Sequence, residues 1–78
     1  MTPAELIAAV RTHARQNYNT GGWDYVVEAY DDADLLEFIG KAKTVRGAIR
    51  NVAAIVKIHN ERREEAQSFA REFGEENQ

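Results

Sequence analysis

The chain contains no cysteine, one proline, one methionine and one tryptophan, and no apolar run approaching the length of a membrane span. Without cysteine it has neither a disulfide staple nor a thiolate metal site. Without about 20 consecutive apolar residues it has no spanning helix, and its opening Met-Thr-Pro-Ala-Glu-Leu lacks the basic and then apolar pattern of a secretory signal. These absences lead us to expect a cytoplasmic protein with no membrane partner. With 78 residues there is room for one core only, so the whole of 1–78 is read as a single domain. Such a chain buries only roughly 60% of the surface its unfolded form exposes, so packed helices or a partner must supply the stability.

What is present is mostly helical pattern. Thr2, Pro3 and Glu5 form a helix-start signal: a hydroxyl cap, a first residue with no amide to leave unpaired, and a carboxylate that can reach back to the cap. Leu6, Ile7, Val10, Ala14 and Tyr18 follow at helical spacing with Arg11 and Arg15 on another face, so a helix is expected over about 2–18. Asn19-Thr20-Gly21-Gly22 should end it.

Residues 23–30 fit two periods. Trp23, Val26, Val27 and Tyr30 share a helical face, whereas Trp23, Tyr25, Val27 and Ala29 alternate as in a strand. Residue types favour the strand, but a lone strand has no partner for its amides, so a short helix is the leading expectation and an α+β fold the alternative. Asp31 or Asp32 then caps a helix over about 33–42, with Leu35, Leu36, Ile39 and Ala42 inward and Lys41 in its last turn. Thr44 caps a last helix, Val45 to Phe73, whose apolar face runs through Ala48, Ile49, Val52, Ile55, Val56 and His59 to Ala66, Phe69, Ala70 and Phe73. Gly74 is its expected stop, with 74–78 a flexible tail.

The expected fold is therefore all-α, with three or four helices. A last helix of about 29 residues is on the order of 43 Å long, whereas a compact chain of this size has a radius of gyration of about 11 to 12 Å. It should overhang its own domain. The polar stretch from Asn60 to Glu65 separates the core positions from Ala66, Phe69, Ala70 and Phe73, which are the candidate self-association surface of a homodimer.

Charge comes in blocks. Asp24, Glu28, Asp31, Asp32, Asp34 and Glu37 lie together without a base, and Lys41, Lys43, Arg46, Arg50 and Lys57 follow without an acid. Lys43, Arg46, Arg50 and Lys57 form a stripe away from the apolar face, a candidate surface for a partner or for nucleic acid. With 32–58 taken as a helix-turn-helix-like pair, that stripe would grip phosphate. Mutual attraction of the two blocks, within the chain or across a dimer, and solvation of the surface are the simpler reading.

No constellation fixes a chemistry. His13 and His59 are on different helices, each beside an apolar face, and belong to no ligand-spaced set. Asp31, Asp32 and Asp34 lack the further oxygen ligands and glycine turn of a calcium loop. Ser68 is the lone serine and has no acid or histidine at a telling spacing; Gly21-Gly22 lacks the rest of a phosphate loop. Trp23, Tyr25 and Tyr30 could form a recognition patch, although aromatics at this spacing are more often core. No metal, cofactor or catalytic residue is expected, and the chain is expected not to be an enzyme.

Gly22-Trp23-Asp24-Tyr25-Val26-Val27-Glu28, then Asp32-Ala33-Asp34-Leu35 and Thr44 to Ile49, resembles a pattern in small uncharacterised proteins of bacteriophages and prophages. The resemblance covers about a third of the chain. It implies a host-manipulating or accessory phage protein of unknown activity and carries no functional residues with it; the function expected of the chain is that of a binding protein acting through protein contacts.

Overall fold

The computed structural model describes the backbone of residues 1–76 and the side chains through Ser68. Four helices follow one another along the described residues: α1 (Pro3–Gln16), α2 (Asp24–Glu28), α3 (Asp32–Ile39) and α4 (Val45–Glu76). There is no strand among the described residues, and within the segment that fits both periods Asp24–Glu28 is helical.

The expected caps are in place. The Glu5 amide donates to Thr2 Oγ1 at 3.2 Å and the Thr2 amide reaches Glu5 Oε1 at 3.4 Å, a reciprocal pair that satisfies two free amides of the first turn. Thr2→Ala should therefore lower stability by about 1 kcal/mol. A thermal melt of that variant matching wild type within error would show that the first turn is frayed. Of the two candidate aspartates it is Asp31 that caps α3, accepting from the Asp34 amide at 2.8 Å, and Thr44 caps α4 by accepting from the Gly47 amide at 3.1 Å.

Every helix contributes to one core. Leu6, Val10 and Ala14 come from α1, Val26 from α2, Leu35 and Ile39 from α3, and Ala48, Val52 and Val56 from α4, with Trp23 closing one end. Each fully buried Val, Leu or Ile contributes about 1.5 to 3 kcal/mol relative to exposure. Arg11 ties the shorter helices together. Its Nη1 donates to the Val26 carbonyl at 3.1 Å, its Nη2 to the Tyr30 carbonyl at 3.0 Å, and its Nε to Asp32 Oδ1 at 2.9 Å. At the other end of α3, Asn51 Nδ2 donates to the Ile39 carbonyl at 2.9 Å and so fastens the helix to α4.

Several boundaries differ from expectation. α1 stops at Gln16, so Tyr18 leaves the helical register and lies 37% exposed. α3 stops at Ile39, where Gly40 turns the chain at φ +60°, so Lys41 and Ala42 fall outside it. With only about two turns, α3 has a narrow inward strip centred on Leu35 and Ile39. Leu36 faces outward, 44% exposed. α4 continues through Gly74 to Glu76, so this glycine does not stop the helix.

The radius of gyration is 15.2 Å and the principal extents are 54 × 22 × 18 Å. A compact chain of this length would measure about 11 to 12 Å. The excess is α4, roughly 48 Å long at 1.5 Å per residue.

Candidate interaction surface on helix α4

The body ends along α4 where the aromatic residues of the α2 region meet it. Gly22 abuts Val56 and Asn60, the Tyr25 ring stacks near His59 at 6.2 Å, and the Arg63 guanidinium lies 5.4 Å from the Tyr25 ring centre. Past this level, every side chain from Glu61 to Ser68 is exposed. Of the candidate self-association residues, Ala66 is among these. The side chains of Phe69, Ala70 and Phe73 lie outside the described residues; of the tail expected over 74–78, residues 74–76 belong to α4 and 77–78 lie outside the described residues.

The aromatic patch considered from the sequence divides. Trp23 is core, with the half-buried His13 ring edge-on to it at 4.7 Å. Tyr25 and Tyr30 are half-buried, and Tyr30 packs edge-on to Phe38 at 5.0 Å. Burial, and then the negative charge of Asp34, push the Tyr30 phenol above its ordinary range. Tyr18 is also raised, first by its hydrogen bond to the Glu28 carboxylate, which is lost if the phenol ionises. His59 is exposed rather than set into the core, flanked by the Tyr25 and Tyr30 rings.

The basic stripe is solvent-facing throughout: Lys43 in the α3–α4 connection and Arg46, Arg50 and Lys57 on α4 are all exposed. Among the described residues the one ion pair is Arg11 with Asp32, at 2.8 Å. The two charge blocks therefore do not pair within the described chain. The acidic residue that finds a base finds it on α1, because Arg11 projects between α2 and α3, whereas the stripe leaves α4 on a different side from Asn51, which faces α3.

Among the described residues there is no cluster of three or more His, Asp or Glu side chains able to hold a metal ion, and no cavity. No helix of the described residues is long and apolar enough to cross a membrane. No protein-family model, curated protein or solved structure matches the chain.

Proposed function

We propose that the chain is a non-catalytic interaction protein that works through protein contacts of the protruding half of α4, with a second copy of itself as one partner. The observation that supports this is the length of α4 beyond the body: among the described residues the helix touches its own domain as far as Asn60 and Arg63, and it continues to Glu76. An isolated helical extension of that size is marginal in water, since most helical stability in proteins comes from tertiary packing. A covering partner removes the cost. The spacing of Ala66, Phe69, Ala70 and Phe73 in the sequence gives the extension an apolar side suited to that role. The resemblance to small phage and prophage proteins supplies the setting of this proposal, an accessory protein of the cytoplasm. Sedimentation at tens of micromolar tests it: a dimer is the expected species, and a monomer throughout would defeat the reading.

A second reading rests on the stripe. Four exposed bases that no acid of the described chain neutralises suit phosphate, and α3 with α4 would then act as a helix-turn-helix-like pair. Arg46→Glu with Arg50→Glu is expected to leave the circular dichroism spectrum unchanged, because neither side chain bonds to the rest of the fold. On the second reading the wild type binds duplex DNA with an affinity that falls steeply as salt rises, and the double variant loses that binding. Indifference of the wild type to DNA at low salt would remove it.

A further inference from the structure

We infer that the second copy pairs with α4 in antiparallel orientation, in a register set by Arg62 and Glu65. This rests on the reading of α4 as a self-association helix and adds its geometry. Ile58, Arg62 and Glu65 recur at the four-then-three spacing that keeps side chains along one seam of a helix pair, and the sequence continues the spacing to Phe69. Ile58 is 46% exposed although its neighbour Val56 is buried, so an apolar side chain stands uncovered where the body ends. Arg62 and Glu65 are both exposed, and neither belongs to the ion pair found among the described residues. The adjacent Arg63 is turned to the body and lies over Tyr25. Arg62, about 100° further round the helix, is not.

Charge decides the orientation. In a parallel pair each seam position meets itself, which sets Arg62 against Arg62 and Glu65 against Glu65. With the helices antiparallel and the two-fold axis level with residues 63 and 64, Arg62 of each copy meets Glu65 of the other. The same axis brings Ile58 opposite residue 69 of the second copy, which the sequence gives as phenylalanine. The seam then has two ion-pair layers at its centre and an apolar layer on either side. Like charges placed opposite one another disfavour the wrong arrangement, while the exposed ion pairs themselves add little. Orientation is thus specified by the charges and affinity by the flanking layers.

The test uses Arg62→Glu, Glu65→Arg and the double variant in one chain, each followed by sedimentation, with circular dichroism as the check on folding. Each single reversal sets like charges opposite one another in both central layers, and is expected to weaken association about a hundredfold. The double variant restores both ion pairs with their signs exchanged and is expected to associate as wild type does. Single variants that associate like wild type, or a folded double variant that does not recover, would overturn the register and leave self-association standing. A wild type that stays monomeric would overturn both.

Discussion

Arg11→Ala is expected to lower the unfolding free energy by about 3 kcal/mol, because it removes hydrogen bonds from a charged donor to two main-chain carbonyls that the helices do not satisfy. The Tyr30 amide turns to the Tyr25 carbonyl at 3.2 Å, which leaves the Val26 carbonyl to Arg11. The Tyr30 carbonyl is met by the other arm of the same guanidinium. The Arg11 side chain is 20% exposed and Asp32 is 72% exposed, so the ion pair between them is largely solvated and contributes little of the total. Arg11→Lys should lose about 2 kcal/mol, since one ammonium cannot span acceptors set for a planar fork. Asp32→Asn should lose no more than about 0.5 kcal/mol. For a domain of this size the alanine variant should melt roughly 12 to 24 °C lower. Urea titrations of the three variants check the ranking; equal losses for Arg11→Ala and Asp32→Asn would reduce Arg11 to a surface ion pair.

Gly22→Ala is expected to cost about 3 kcal/mol, of which left-handed backbone strain accounts for about 1 to 2 kcal/mol and crowding of the core for the remainder. Gly22 has φ +89°, and a Cβ placed there would lie 3.2 Å from Val56 Cγ1 and 3.6 Å from the Asn60 Cβ. Val56 is buried and cannot swing away without opening the core. Gly21 supplies the internal control. It has φ +59°, and a Cβ at that position would meet nothing within 4 Å, so Gly21→Ala carries the backbone cost alone, about 1 to 2 kcal/mol. Melting both variants side by side separates strain from crowding. If the two lose the same amount, the turn does not approach α4 closely.

Arg11 and Gly22 also mark where the sequence was legible and where it was not. The caps at Thr2 and Thr44 are legible, because a cap and its amide lie within three or four residues of each other, and Leu35 and Ile39 are legible as inward positions one helical turn apart. The sequence places Arg11 only off the apolar face of its helix. Its acceptors are carbonyls 15 and 19 residues further on, and carbonyls carry no sequence signal. The sequence marks Gly22 as a helix stop, yet a Cβ there would run into Val56 and Asn60 of α4, an approach that only the fold creates. Periodicity draws Tyr18 inward although α1 ends before it, and draws Leu36 inward although a helix of about two turns buries only the strip at Leu35 and Ile39. For residues 23–30, the lack of a partner strand outweighed residue preference. The charge blocks were visible as sequence, but their failure to pair follows from which side of α4 the bases leave. The overhang of α4 was legible from length alone, as arithmetic between a helix and a small body.

Self-association through that overhang is tested most directly by sedimentation of wild type beside Phe69→Asp with Phe73→Asp, at tens of micromolar and under one buffer condition. Both substitutions fall past the level at which the body ends, so the domain should fold in either protein. Burying two phenylalanines against a second copy is worth about 1.5 to 3 kcal/mol each, and two carboxylates in their place would remove that and add repulsion. A dimer is expected for wild type and a folded monomer for the variant, with the dimer's melting temperature rising with concentration and the monomer's constant. A wild type that remains monomeric, or a variant that dimerises as before, would contradict a role for the protruding helix in self-association.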